Sequence, residues 1–371
     1  MAIFQRGAVD GLNMVIPFAE ADYYKARPAI AIGPPGSGPD SAIDLDGFFG
    51  LHPRMAALVP FFRARQLAIV HACGSPDPTR SHFDAQDYME SGTPGVKSTP
   101  DGWLNRYLHA REHHKATPFR AVALAPQLPR SLQGLAPALA VGRIDRFGIR
   151  GAGNTEKVQS SFEREYAAAE DRALNTTSRE AFDAVRMLKK IDPQRYTPES
   201  AAEYPQSGSG LALRQIAQLV KANVGLEVAL AESGNWDHHA NEGAGTGLIA
   251  NRLDDFARGI AALVRDLGDR MQDVVILTMS EFGRTVAENG SRGTDHGHGN
   301  AMMVIGGVIR GGQVYGRWPG LAREQRHDGR DLAITTDFRA VFAEVVRGHL
   351  GLADAGRVFP GFTPPPPLGL F

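Results

Sequence analysis

The chain has 371 residues, of which 43% are hydrophobic, and its 40 Lys and Arg residues are balanced by 41 Asp and Glu residues. This apolar content excludes a wholly disordered chain, and the formal net charge of −1 argues against a dedicated nucleic-acid-binding protein, which carries a basic excess. The single cysteine, Cys73, excludes an intramolecular disulfide framework and a zinc cluster built from cysteines.

Short apolar runs alternate with longer helical patterns along the chain. The apolar runs predict strands at 2–4, 67–72, 121–125, 274–279 and 302–309. Apolar residues spaced by three or four positions predict helices over 211–231, 249–267 and 338–350. Several of the strands are continuously apolar, as in strands that are buried on both faces. The alternation therefore predicts an α/β fold with a mostly parallel central sheet and helices on both of its faces.

One stretch departs from this alternation. Residues 155–200 are polar, charged and rich in alanine, which predicts a helical insertion that flanks the sheet. Since no internal repeat or clear linker is visible, we expect residues 1–371 to form one domain. No run approaches the ~18 apolar residues that span a membrane, and no signal peptide precedes the strand-like start. We therefore expect an N-terminus from which a leader has been removed.

Histidine and acidic residues concentrate in short segments that follow predicted strands or lie in glycine-rich loops. In an open α/β sheet, such loops surround the ligand-binding edge. Asp237 and His239 point to the same side of an extended segment, and Asp295, His296 and His298 lie among glycines that let the backbone approach a ligand. These groups suit a divalent cation such as Zn²⁺, although a solvated polar loop would have the same composition.

Two acidic residues and a serine also follow predicted strands. Asp10 lies in an Asp-Gly turn after the first strand, and Glu281 follows the strand at 274–279. Glu281 is placed either to bind a cation or to form a structural ion pair with Arg284. Ser81 opens a predicted helix, where metal coordination would make its hydroxyl a nucleophile and where the hydroxyl would otherwise only cap the helix.

Five segments carry a resemblance when they are taken together. They are residues 4–13, 78–92, 236–241, 280–285 and 293–299. In combination they resemble the bacterial domain of unknown function 1501 family, whose members are usually exported by the twin-arginine route. The resemblance covers most of the chain and implies a periplasmic or secreted protein.

That family is similar to a branch of the alkaline phosphatase and sulfatase superfamily, which implies an alkaline-phosphatase-like α/β fold. The resemblance implies metal ligands at Asp10, Asp237, His239 and Glu281, with His296 or His298 completing the site and Asp295 as a further candidate. They would hold one or two cations, and the mixture of His and carboxylate ligands favours Zn²⁺ or Mn²⁺. It also implies a nucleophile at Ser81. The guanidinium of Arg80 beside it would bind a tetrahedral oxyanion or simply face solvent, and we expect His82 to lie with them in the catalytic centre.

The sequence departs from the superfamily pattern at Phe282, which stands where a histidine ligand is usual. A second cation would then lack one ligand unless His82 or Asp295 supplies it. In an alternative register, residues 294–297 provide the Asp-His-Gly motif, which leaves Glu281 outside the coordination sphere.

These patterns predict a metal-dependent hydrolase of phosphate or related oxyanion esters, with a small-molecule or glycan ester as substrate. A sulfatase that uses formylglycine is not expected, because Pro76 stands four residues before Arg80, where the modified residue would lie. The alternative is a non-catalytic envelope protein that binds or assembles a partner and keeps a degenerate metal site. We expect no nucleic-acid partner and no membrane span.

Overall fold

The computed structural model describes residues 1–111, 116–146, 183–184, 186–187 and 195–371. Its strands are β1 (Ala2–Gln5), β2 (Val15–Ile16), β3 (Ile43–Asp44), β4 (Gly50–Leu51), β5 (Leu67–Gly74), β6 (Ala121–Ala123), β7 (Leu139–Ala140), β8 (Val228–Ser233), β9 (Val275–Met279), β10 (Asn300–Gly306), β11 (Val314–Tyr315) and β12 (Thr336–Asp337). Its α-helices are α1 (Gly11–Met14), α2 (Ala21–Ala26), α3 (Val59–Arg63), α4 (His82–Ser91), α5 (Trp103–Ala110), α6 (Gly208–Lys221), α7 (Leu248–Leu267) and α8 (Phe338–Gly348). The insertion predicted at 155–200 falls mostly outside the described residues, so it stays a prediction, as does the single domain.

Nine strands of the described residues form one sheet in the order β11-β5-β10-β9-β1-β8-β6-β7, with β12 also paired to β5. β1 is parallel to β8 and β9, β6 is parallel to β7 and β8, and β11 and β12 are parallel to β5. Within this sheet, β10 alone is antiparallel to its neighbours, β5 and β9. The predicted α/β fold with a mostly parallel central sheet is therefore confirmed.

The sheet separates two hydrophobic cores, because successive side chains of a strand point to opposite faces. In β1, Ile3 packs in the core that includes α6 and α7, whereas Phe4 packs in the core that includes α5 and α8. Helices thus lie on both faces. In α7, the apolar stripe from Ile249 to Leu267 is buried as its spacing predicts. Each such side chain contributes ~1.5–3 kcal/mol, so burial holds this helix against the sheet. None of the helices in the described ranges is long and apolar enough to cross a bilayer.

The predicted strands are confirmed as β1, β5, β6, β9 and β10, with small shifts at their ends. The helix predicted over 211–231 is wrong beyond Lys221, where α6 ends. Asn223 and Gly225 adopt positive φ angles of 51° and 78°, through which a right-handed helix does not continue. The apolar residues that follow form β8, a central strand between β1 and β6. A short apolar run fits a buried helix or a buried strand, so periodicity alone did not separate the two.

Candidate metal centre

Five loops meet at one edge of the sheet because of the directions of its strands. β1, β5, β8 and β9 point the same way, so the loops that follow them leave at the same edge. β10 points the opposite way, so the loop that precedes it arrives at this edge as well. These loops contain residues 6–10, 75–81, 234–241, 280–285 and 293–299. They carry most of the polar residues that the sequence singles out.

Three imidazoles converge on one carboxylate at this edge. Nε2 of His239 lies 3.0 Å from Asp237 Oδ1 and 3.0 Å from Nε2 of His296. Nε2 of His296 lies 3.3 Å from Asp237 Oδ1, and Nε2 of His82 lies 3.5 Å from Asp237 Oδ2. His82, Asp237 and His296 form a group whose ligand atoms all lie within 4.8 Å of one another. Ligand atoms around tetrahedral Zn²⁺, with bonds of ~2.0–2.1 Å, would be ~3.3 Å apart, so this group could hold one cation.

The orientation of the His82 ring is fixed by Glu281. The Nδ1 atom of His82 lies 2.8 Å from Oε1 of Glu281, and a carboxylate only accepts, so Nδ1 carries the proton. Nε2 is then an acceptor, and it is buried without a hydrogen-bond partner. A cation would satisfy this orphaned lone pair. The hydrogen bond to Glu281 raises the pKa of His82 despite partial burial.

The other two imidazoles are held in the same way by different acceptors. Nδ1 of His296 donates to the backbone carbonyl of Arg80 at 2.8 Å. Nδ1 of His239 donates to Oδ1 of Asp295 at 3.2 Å. A neutral ring with its proton on Nδ1 has its lone pair on Nε2, the atom that lies beside Asp237. When neutral, all three imidazoles would therefore present acceptor nitrogens, the form in which histidine binds a metal.

Arg284 fixes the carboxylate on which the imidazoles converge. Its guanidinium is fully buried and donates to Oδ1 of Asp237 at 2.6 Å. It also donates to the backbone carbonyls of Gly7, Ala8, Trp236 and Thr294. Burial opposes ionisation of Asp237, but the hydrogen bond and charge of Arg284 outweigh it and lower the pKa to about 2. Asp237 is therefore an anion throughout the neutral range, and Arg284 connects its own loop to three of the other four loops.

Phe282 forms an apolar wall beside the group. Its ring centroid lies 4.9 Å from that of His82 and 5.1 Å from that of His296. It packs in a small buried cluster with Ala8 and Ala85. The residue that departs from the superfamily pattern thus offers no ligand atom, and α4 brings His82 to this place instead.

The predicted metal ligands fall into three sets. The residues that converge are Asp237, His239 and His296. The residues that hold an imidazole from behind are Glu281 and Asp295. The residues that lie apart from the group are Asp10 and His298. Both oxygens of Asp10 accept from the buried guanidinium of Arg27, and Oδ1 also caps α1. His298 is stacked on the ring of His327, with centroids 4.2 Å apart, and burial lowers its pKa to about 4.

The side chains of the two residues before His82 form hydrogen bonds outside the metal group. The Ser81 hydroxyl caps α4 through the amide of Asp84, at 3.5 Å. The Arg80 guanidinium, predicted to bind an oxyanion, instead donates to Asp331 at 2.7 Å and to Asp328 at 3.4 Å. These carboxylates already neutralise Arg80, so in this structure it serves to anchor the loop whose carbonyl accepts from His296.

Sequence analysis missed Gln86 and expected a different role for His82. His82 was expected to take part in catalysis, with ligation only as an alternative, and nothing in its spacing joined it to Glu281. Gln86, one helical turn after His82, also donates to Glu281, at 2.8 Å. The i, i+4 spacing of His82 and Gln86 on a predicted helix was a usable signal, because it places both side chains on one helix face.

The close approach of two site loops depends on Gly283. A Cβ atom at this position would lie 1.8 Å from the carbonyl oxygen of Gly299, a backbone atom that cannot move aside. We expect Gly283→Ala to lower the free energy of unfolding in urea by ~3 kcal/mol or more. Gly290→Ala is the control, since nothing lies within 4 Å of a Cβ there. Equal stability of the two variants would contradict this account of the loop packing.

Comparison with known proteins agrees with the resemblance of the five segments. A family profile described as "Protein of unknown function (DUF1501)" matches residues 1–361. No curated protein matches the chain. Because the profile covers nearly the whole sequence, the chain belongs to the DUF1501 family of proteins of unknown function.

Proposed function

We propose that this protein is a metal-dependent hydrolase of phosphate or related oxyanion esters. The observation that carries the proposal is the group of His82, Asp237 and His296, with the ligand atoms of all three within 4.8 Å of one another. The buried, unpartnered Nε2 atom of His82 supports it, since a polar atom without a partner is costly unless a ligand satisfies it.

The charges around the group support a divalent ion. Asp237, Glu281 and Asp295 carry three negative charges, and Arg284 carries one positive charge. With neutral imidazoles, two negative charges remain, which one divalent cation would neutralise. A mixed His and carboxylate set suits Zn²⁺ or Mn²⁺ better than Ca²⁺. Since Glu281 and Asp295 are engaged with imidazoles, the described residues favour one cation over two.

Such an ion, when bound, supplies Lewis acidity toward an ester oxyanion. The residues of the chain would supply the remaining functions. The side chains of Asp237 and His239 are 42% and 45% exposed, which leaves one face of the group open to a substrate. Phe282 excludes water from the opposite side. The N-terminus of α4, which begins at His82, would offer its positive dipole end to developing negative charge.

Ser81 is the nucleophile in this proposal. Its hydroxyl precedes His82 directly, and its contact with the amide of Asp84 is 3.5 Å, at the limit of a hydrogen bond. A hydroxyl held this weakly rotates at little cost and can attack a bound ester. The location of the group at the carboxyl edge of a mostly parallel sheet supports the finer proposal of an alkaline-phosphatase-like fold. Export to the periplasm is proposed on the family resemblance.

A second candidate is a non-catalytic binding protein that keeps the metal group. The partners of Arg80 favour it, because Asp331 and Asp328 already occupy the guanidinium that would bind an oxyanion. This candidate predicts a bound metal without turnover.

The test combines metal content with turnover. We expect protein purified without a His-tag or chelator to contain about one equivalent of Zn or Mn by plasma mass spectrometry. It should hydrolyse one class in a panel of aryl phosphate monoesters, diesters, phosphonates and sulfates. Ser81→Ala should keep the metal and lose at least ~10³-fold in kcat, because the group that attacks is gone. Ser291→Ala, an exposed serine of a neighbouring loop, is the control.

The outcomes separate the two candidates. Full activity of Ser81→Ala would remove the nucleophile role and leave a metal-activated water as the attacking group. Bound metal with no turnover on any ester would favour the binding protein. A protein that neither contains nor takes up a divalent metal would contradict both the hydrolase and the metal group.

A further inference from the structure

Glu281 is a buried carboxylate that collects three hydrogen-bond donors on one oxygen. Its side chain is fully buried. Oε1 accepts from the backbone amide of Gly7, from Nδ1 of His82 and from Nε2 of Gln86, each at 2.8 Å. These donors come from the loop after β1 and from α4, whereas Glu281 itself follows β9. One oxygen therefore joins three elements at the edge that carries the metal group.

The donors leave Oε1 no capacity for a cation. A carboxylate oxygen offers about two lone-pair directions, and three donors more than fill them. Among the described residues, the group with ligand atoms within 4.8 Å of one another includes His82, Asp237 and His296 but not Glu281. Glu281 is therefore placed behind His82, on the side of the ring that faces away from Asp237.

The contacts of Gln86 and Gly7 with Glu281 fix which group donates in the hydrogen bond to His82. Nη1 of Arg6 donates to Oε1 of Gln86 at 3.0 Å, so the amide nitrogen of Gln86 is the atom that faces Glu281. With Gln86 and Gly7 both donating, Glu281 is an acceptor in all of its contacts through Oε1. His82 must then keep its proton on Nδ1. Without this carboxylate, the other tautomer would become accessible, and it would point an N–H into the metal group and block a cation.

We propose that Glu281 is a positioning residue, which acts on the metal only through His82 by fixing its tautomer and ring orientation. The inference rests on the proposed metal-binding function. It replaces the expectation from the sequence that Glu281 is itself a ligand. Carboxylates that hold a ligating histidine typically account for 10–100-fold in metal affinity.

A double-mutant cycle distinguishes a positioning residue from a ligand. The affinity for Zn²⁺ is measured by competition with a chromogenic chelator for the wild type, Glu281→Gln, His82→Asn and the double variant. We expect Glu281→Gln to bind Zn²⁺ ~10–100-fold more weakly than the wild type. In the His82→Asn background, the same change should alter the affinity less than ~2-fold, because the residue through which it acts is gone.

Asp266→Asn is the matched control. Asp266 is a second carboxylate with a fully buried side chain, and its partners Lys221, Tyr196 and Tyr204 are residues outside the metal group. Its replacement removes the same charge, and we expect it to change the Zn²⁺ affinity less than ~2-fold. Melting curves with excess chelator identify any variant that is not folded.

A measurement on the wild type keeps the inference testable if Glu281→Gln does not fold. Long-range ¹H–¹⁵N spectra of the zinc-loaded protein should show His82 protonated on Nδ1 and metal-bound through Nε2. Binding through Nδ1 would overturn the inference. So would an unchanged affinity of Glu281→Gln, or an equal loss in the His82→Asn background, and both results would leave the hydrolase proposal intact. A wild type that binds neither Zn²⁺ nor Mn²⁺ would refute the proposed function, and this inference with it.

Discussion

Replacing His82 or His296 with alanine is expected to weaken Zn²⁺ binding by more than ~100-fold. Loss of a residue that only hydrogen-bonds to a metal ligand weakens binding by up to ~100-fold, and loss of a ligand itself should cost more. Each substitution removes an acceptor nitrogen that lies within 4.8 Å of the other ligand atoms. His238→Gln is the matched control, because His238 is the neighbour of His239 in the chain but lies outside this group. We expect it to bind Zn²⁺ as the wild type does.

The same experiment has a thermal readout. Zn²⁺ at 100 times its dissociation constant should stabilise the wild type by ~2.7 kcal/mol, which raises the melting temperature of a chain of this size by about 3 °C. His82→Ala and His296→Ala should show no such rise at the same Zn²⁺ concentration. A rise equal to that of the wild type in both variants would show that the stabilising metal binds elsewhere. Melting in excess chelator separates this effect from damage to the fold.

Acidification is expected to destabilise the protein through His52 and His71, two buried histidines outside the metal group. Both side chains are at least 98% buried, and burial lowers the pKa of each to about 4. In His71, Nδ1 accepts from the amide of Ala72 and Nε2 donates to the carbonyl of Val15, both at 2.9 Å. These two backbone contacts are compatible only with a neutral ring, because a second proton, on Nδ1, would point at the N–H of Ala72. His52 has the same kind of partners.

Acid lowers the stability of the fold because the unfolded chain binds more protons than the folded chain. Between the unfolded pKa of ~6.5 and the folded pKa near 4, the unfolded chain takes up protons at these positions and the folded chain does not. Each histidine therefore contributes stability above pH 6.5 that is lost as the pH falls, ~3 kcal/mol by pH 4. Below pH 4, both states are protonated and the loss ends.

Urea denaturation at pH 7.5 and pH 4.5, in excess chelator, tests this expectation. His71→Gln should be less stable than the wild type at pH 7.5, but its loss between the two pH values should be smaller by about 2–3 kcal/mol. His109→Gln, at an exposed position, is the control. The same pH dependence in His71→Gln as in the wild type would contradict a neutral, buried His71.

Most of the fold could be predicted from the sequence. Which side chains of the site face a cation and which hold the others in place could not. Apolar runs and helical spacing located β1, β5, β9 and α7, because an element that is buried on one or both faces has a regular pattern of apolar residues along the chain. β8 was missed, although it carries the loop with Asp237 and His239. Its register between β1 and β6 depends on contacts with distant strands, which a single apolar run does not specify.

The family and the segments of the site were also determined by the sequence alone. The short motifs around Asp10, Ser81, Asp237, Glu281 and His296 sufficed, since the profile match to residues 1–361 confirms the resemblance that they carry. Loop composition also placed polar residues correctly at the carboxyl edge of the sheet. These properties can be predicted from the sequence because each depends on residues that are near neighbours in the chain.

Only the tertiary structure decided which carboxylate faces the imidazoles and which stands behind them. Asp10 is paired with Arg27 in a buried salt bridge, and Glu281 is paired with His82, 199 positions away in the chain. Asp237 is held by Arg284, 47 positions away. Asp and Glu have the same ligand chemistry in sequence, and the partner that neutralises each one is chosen by how the strands bring distant loops together. A buried charge needs that partner, so long-range packing, rather than residue type, determined which side chains remain available for a metal.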